Sequence, residues 1–189
     1  MGAPLTLNGL VRSGTTAQRP TNAQVGQAYF DETLGVDLVY TSDGWKPAAG
    51  FFAKEITFTE TAGAGVYTGS VTIPAGATIV DIIAYGEALW DNAGTAVLKV
   101  GIDAVDDDGY FTGVNLKATD LLAGESLSFA LAGGKAGADI ANSQVQRRYG
   151  AAERVVSGIV TTSSTGGTAG RTRLVVMYAL PTITAATKV

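Results

Sequence analysis

Residues 95–102, TAVLKVGI, place Ala96, Leu98, Val100 and Ile102 in alternation with Thr95, Val97, Lys99 and Gly101. A two-residue period sends successive side chains to opposite faces of an extended chain, so one face of this segment meets a core and the other lies nearer solvent. The same rule recurs outward in both directions. Ile56 and Phe58 alternate with Thr57 and Thr59, Val71 and Ile73 with Ser70 and Thr72, and Leu127, Phe129 and Leu131 continue the pattern, which Leu174, Val176, Tyr178 and Leu180 close. Residues 79–85 (IVDIIAY) and 155–160 (VVSGIV) are apolar on both faces, as expected of central strands or of strands covered by another subunit. About seven or eight strands at this spacing predict an all-β sandwich or jelly roll over residues 51–189.

Composition agrees with that reading. Apolar residues make up 46% of the 189-residue chain and charged ones 16%, too hydrophobic a balance for disorder. Twenty-five glycines against five prolines suit many short strands joined by tight turns, because glycine supplies the positive φ that such turns need. The net charge of −4 and the absence of a Lys/Arg cluster argue against a nucleic-acid partner. Cysteine and histidine are both absent, which removes disulfides, thiolate and imidazole metal ligands, and the commonest general base. No stretch approaches the ~20 apolar residues of a membrane span, and the first residues, MGAPLTLNGLVRSG, lack the basic and apolar regions of a secretory signal. A soluble protein with no membrane partner is the expectation.

Residues 1–18, rich in Gly, Thr and Ser with Leu5, Leu7, Leu10 and Val11 interspersed, have no periodicity strong enough to fold alone. They are read as an arm, either docked on a neighbouring subunit or frayed. Residues 19–50 read as a small β-meander. Residues 27–31 form a strand, 33–35 a turn, 36–41 a second strand, 42–44 another turn, and Trp45 opens a third strand. Tyr29, Phe30, Tyr40 and Trp45 all fall here, more aromatic surface than so small a ribbon is expected to bury internally. Either they pack on the following sandwich or they lie in an interface with a subunit or a host surface. Residues 115–124, NLKATDLLAG, suggest two helical turns capped by Asn115 and stopped by Gly124. Residues 133–150 form a long excursion, a contact loop or a disordered one.

Chemistry-bearing patterns are few. Asp103, Asp106, Asp107 and Asp108 precede Gly109, but the calcium-loop pattern fails because Ala104 and Asn115 stand where it needs Asp and Glu. A solvated acidic turn is the better reading, with no metal and no cofactor. No G-x-S-x-G elbow is present, so nucleophilic catalysis lacks its usual parts. A glycosidase-like carboxylate pair drawn from Glu55, Glu60, Asp81, Glu87 and Asp91 is formally open but has no specific support. Gly63-Ala64-Gly65 and Thr165-Gly166-Gly167 lack the Lys-Ser/Thr ending of a phosphate loop and read as turns. Arg147, Arg148 and Tyr149 are candidates for contact with an acidic neighbour or a glycan, or are simply solvated.

Arg19-Pro20, Gln24-Val25-Gly26, Tyr29-Phe30-Asp31, Thr33-Leu34-Gly35 and Gly44-Trp45 together resemble a short module of tailed-bacteriophage tail-fibre and virion proteins, R-P-x-N-x-x-V-G-x-x-Y-F-D-x-T-L-G followed by an aromatic strand and a G/N-x-W turn. Leu38-Val39-Tyr40 stands where many relatives carry tryptophans. Residues 71–79 (VTIPAGATI), Ala88-Leu89-Trp90, Val100-Gly101 and Asp108-Gly109-Tyr110-Phe111 look similar to phage structural proteins of the jelly-roll kind. The resemblance implies a non-enzymatic virion structural protein, assembled in the bacterial cytoplasm, that forms a homotrimer. Its other implied partners are the major capsid protein or tail components. The leading expectation is a capsid decoration or head-fibre protein; the alternatives are a short tail fibre or adaptor and a carbohydrate-binding module. Interface candidates are Arg19, Pro20, Tyr29, Phe30, Tyr40, Trp45, Arg147, Arg148 and Tyr149.

Overall fold

The computed structural model describes residues 12–48, 50–102, 106–141 and 148–180. They divide into two compact units, residues 51–179 forming the larger and residues up to 50, with Leu180, belonging to the smaller.

Among the described residues the larger unit has eight strands: β5 (Phe52–Thr59), β6 (Val66–Ile73), β7 (Thr78–Ala88), β8 (Ala96–Ile102), β9 (Asp106–Asn115), β10 (Ser126–Leu127), β11 (Arg154–Thr162) and β12 (Arg171–Ala179). They form two four-stranded antiparallel sheets, ordered β10-β7-β12-β5 and β6-β11-β8-β9. The neighbours β5·β12, β6·β11, β7·β10 and β8·β9 are the successive rungs of one long antiparallel hairpin. Its rungs alternate between the two sheets, and rolling it up brings β7 against β12 and β8 against β11. This is the jelly-roll topology. The two doubly apolar segments, in β7 and β11, occupy interior positions of their sheets, where both faces need cover.

The alternating side chains meet between the sheets. Phe58, Ile79, Ile82, Ala84, Leu174, Val176 and Tyr178 come from one sheet and Ile73, Ala96, Leu98, Val100, Val114, Val156 and Val160 from the other, all buried. Each buried Val, Leu, Ile or Phe among them contributes roughly 1.5–3 kcal/mol relative to exposure. The Leu127-Phe129-Leu131 alternation holds only at its start. After Leu127 the chain turns into a 3₁₀ turn, Phe129–Leu131, because Asp81 Oδ1 accepts the Phe129 amide at 2.9 Å and draws the backbone off the ladder. Leu131 is consequently exposed.

Two further expectations are corrected. Residues 115–124 make turns, not a helix. Asn115 Oδ1 accepts the amides of Lys117 and Ala118 as a helix cap does, but Asp120 Oδ2 takes the Asn115 amide at 2.7 Å. Leu121 N donates to Asn115 O, closing the loop where a helix would have continued. The residues expected in an acidic turn, Asp106, Asp107 and Asp108, instead open strand β9; Asp103 lies outside the described residues. Lys99 Nζ sits 3.5 Å from both Asp107 and Asp108, and the Asp107 charge is the main cause raising the lysine pKa.

The smaller unit is a four-stranded sheet ordered β1 (Arg12–Gly14), β2 (Ala28–Asp31), β3 (Val36–Thr41) and β4 (Gly44–Pro47). β2, β3 and β4 pair in sequence as an antiparallel meander. The addition is β1, which pairs in parallel with β2, so residues 12–14 of the stretch read as an arm belong to this sheet; residues 1–11 lie outside the described ones. Gly35 closes the β2–β3 turn with φ +67°, a left-handed conformation that glycine adopts without strain.

Candidate interaction surfaces and the buried carboxylate

In the smaller sheet, alternation divides the aromatics. Tyr29, Val36, Leu38 and Trp45 point to the buried face, where the Trp45 ring lies 5.7 Å from Tyr29 and 5.3 Å edge-on from Tyr40. Residues 15–20 supply polar partners. Tyr29 Oη donates to Thr15 O at 3.0 Å and Trp45 Nε1 to Pro20 O at 3.3 Å. Burial, followed by the charges of Asp31 and Glu32, pushes the Tyr29 hydroxyl pKa up.

Asp31, fully buried, organises the same region. Its Oδ1 accepts the amides of Thr33 and Leu34 at 3.0 Å, setting the turn, and its Oδ2 accepts Thr16 Oγ1 at 2.9 Å and pairs with Arg19 Nε at 3.1 Å. Arg19 also donates to Thr16 O. Arg19, Pro20, Tyr29 and Trp45 therefore hold this unit together, and Tyr40 is half-buried beside them. Phe30 is different. It stands on the opposite face, opposite Asp37, and is 36% exposed, with Val25 nearby in sequence exposed at 73%.

In the sandwich, part of the 133–150 excursion lies among the described residues. It includes a 3₁₀ turn, Gly133–Lys135, and one helical turn, Ala138–Ala141, and it returns to the sheet through a bridge from Tyr149 to Thr78. The Arg148 guanidinium lies 4.7 Å over the Phe129 ring, which stacks on Tyr110 at 5.6 Å. Arg148 is thus half-buried, whereas Tyr149 is 62% exposed; Arg147 lies outside the described residues.

Of the five carboxylates considered for catalysis, Glu60 and Asp91 come together, and Glu55 and Glu87 do so elsewhere. Glu60, just past β5, is 2% exposed. Its Oε2 accepts the amides of Asp91 and Gly170 at 3.0 and 2.9 Å, and its Oε1 accepts Asn92 N at 3.2 Å and Asn92 Nδ2 at 2.9 Å. Asp91 Oδ1 accepts the amides of Thr168 and Ala169, bonds that hold its carboxyl below the usual carboxylate range. Beside them the buried Trp90 donates to Thr172 Oγ1 at 2.9 Å. A Cβ on Gly167 or Gly170 would fall within 2.0 and 2.7 Å of Glu60 oxygens, so glycine at both positions lets the backbone approach. These carboxylates spend their lone pairs tying three loops at one end of the sandwich. Glu55 and Glu87 lie on the outer face of the β10-β7-β12-β5 sheet, where Arg173 bridges them at 3.7 and 2.9 Å and Arg171 reaches Glu87 at 2.7 Å. The sequence names Glu60 and Asp91 but gives no sign of their convergence with residues 167–170, which are distant in the chain.

Among the described residues no group of three or more His, Cys, Asp or Glu is arranged to hold a metal ion, and no helix is long and apolar enough to cross a membrane. The chain matches no protein-family model and no curated protein. Among solved structures it is similar to a chain of the acidic stable capsid of Helicobacter pylori bacteriophage KHP30, with 18% identity, TM-score 0.49, and coverage of 73% of this chain and 94% of that one. It is also similar to a chain of the cyanophage Pam1 capsid asymmetric unit, with 20% identity, TM-score 0.45, and coverage of 69% and 84%. A chain of the Ralstonia phage GP4 capsid shows 20% identity, TM-score 0.42, and coverage of 73% and 90%. Likenesses of this size bring neither a family nor a function to the chain.

Proposed function

We propose that the protein is a non-enzymatic structural component of a tailed-bacteriophage virion, a decoration or head-fibre protein that attaches to the outside of the particle as a homotrimer. The observation that carries this reading is the structural role of the phage-like motif. Its Arg19, Pro20, Tyr29, Asp31, Gly35 and Trp45 are the residues that bond, pack or turn to make one small sheet. The motif is then the signature of a docking module, with Phe30 and Val25 available to a partner such as the major capsid protein. The jelly roll supports the same reading, since its carboxylates at 60 and 91 are consumed by backbone amides and hold the scaffold. The exposed Tyr149 of the 133–150 loop is a second contact point.

Attachment by many copies in a symmetric array gains avidity from weak individual contacts. A short tail fibre built from the same module would differ in number. Quantitative mass spectrometry of purified particles separates the two: decoration gives on the order of hundreds of copies per particle and a fibre on the order of tens. Absence from the particle overturns both.

A further inference from the structure

Among the described residues the sandwich has four edge strands, and three carry recognisable protection against pairing with another chain. β5 bears Lys54 and Glu55, β9 opens with three aspartates and is irregular against β8, and β10 has two residues. Charge, irregularity and shortness are the devices that keep sheet edges from pairing with other strands. β6, VYTGSVTI, has none of them within its own eight residues, which carry no charge and no proline and make a regular ladder to β11 on the other side; its one described cover is Lys54 of β5, which reaches Thr72 near one end.

Its free side is identifiable. Lys54 Nζ donates to Thr72 O at 2.7 Å from outside the ladder, so that carbonyl points away from β11. By the two-residue period the N–H and C=O groups of Ser70 and Thr68 point the same way. Burial also falls off toward this edge. Tyr67 and Val71, on the inward face, are half-buried, whereas Val156 and Val160, inward on the neighbouring β11, are buried.

We propose that residues 4–11 of a second copy of this chain add to β6 as a further strand. This rests on the reading that copies associate, and it names the segment that joins them. PLTLNGLV contains no charged residue, as suits an uncharged edge. Eight extended residues cover about 26 Å at ~3.3 Å each, the length of β6. In such a strand Leu5, Leu7 and Val11 would share one side and extend the apolar face beyond Tyr67 and Val71, while Thr6, Asn8 and Leu10 would fall on the Thr68, Ser70 and Thr72 side. Pro4 falls at the first position, where a missing N–H is tolerated. A head-to-tail exchange of this kind gives a ring when the rotation between copies closes, and the homotrimer proposed above makes it a ring of three.

Because the chain has no cysteine, crosslinking tests this directly. Thr6→Cys and Asn8→Cys copies are each mixed with Ser70→Cys copies, assembled, and treated with a short bis-maleimide. The expected result is a two-chain product that joins an arm peptide to a β6 peptide. Linkage only within one chain, shown with the double variants, or only between two Ser70→Cys chains, overturns the proposal. No linkage in a protein that remains oligomeric by light scattering overturns the arm assignment and leaves association standing. Ser70→Pro, which removes an amide facing the free edge, is expected to lower the mass about threefold with unchanged circular dichroism. A folded Ser70→Pro protein that stays oligomeric refutes the proposal; if that variant fails to fold, the crosslinks decide.

Discussion

Gly158 lies directly opposite Gly69 across the β6–β11 ladder, and the space left by the two missing side chains is filled from the facing sheet. A Cβ on Gly158 would meet Phe58 Cζ at 2.6 Å, and one on Gly69 would meet Ile56 Cγ2 at 2.3 Å. The pair lets the large Phe58 ring lie flush between the sheets, where it is 2% exposed. Gly158→Ala is therefore expected to destabilise the sandwich by about 1–3 kcal/mol through overpacking. Phe58→Leu in the same chain should recover part of the loss. Urea unfolding of the single and double variants measures both.

Glu60→Gln tests the carboxylate that ties the loops. Glutamine keeps the size but turns one acceptor into a donor facing amide hydrogens, so a loss of about 2–4 kcal/mol is expected. Thermal unfolding reads it, and a neutral outcome would mean that the loops hold without the carboxylate.

Acid should weaken the protein through Asp91 and Asp120. Amides of Thr168 and Ala169 lower the Asp91 pKa. Desolvation acts to raise that of Asp120, but the Asn115 amide and Lys135 outweigh it and the net shift is downward. A folded-state value below the unfolded one near 3.8 gives stability that is present above that pH and is lost as the pH falls through the folded value. Asp91→Asn and Asp120→Asn should each flatten the fall in stability on acidification. Chemical denaturation at stepped pH between neutral and strongly acidic conditions checks this.

Asp31→Ala strips the smaller sheet of its turn and leaves Arg19 without its carboxylate. Loss of a buried charged partner costs about 3–5 kcal/mol, more than so small a sheet can bear. We expect faster proteolysis within residues 12–48, with the strands of residues 51–179 still protected in hydrogen exchange. Uniform loss of protection would show that the two units do not fold independently.

Much of this architecture was legible in single residues, and the exceptions have physical causes. Alternation at Ile56/Phe58, Ala96/Leu98/Val100 and Leu174/Val176/Tyr178 reports which face is buried, and the run of both-face apolar residues in 79–85 and 155–160 reports interior strands. Residues 115–124 carry both a helix cap and a stop, yet Asp120 takes the Asn115 amide, a competition that propensity does not contain. The aromatics of 29–45 were expected to need an external cover because the meander was counted without residues 12–20, whose strand and carbonyls enclose part of them. The Glu60 site depends on glycines over a hundred residues away, and no local pattern encodes that approach.

Attachment to a virion is the central expectation. Purified protein should be mixed with particles that lack it, and the bound fraction measured after sedimentation as its concentration rises. Saturable binding, lost when residues 1–50 are deleted but the sandwich is still folded, is the predicted result. A folded full-length protein that never sediments with particles, or that turns over a glycan substrate in solution, contradicts it.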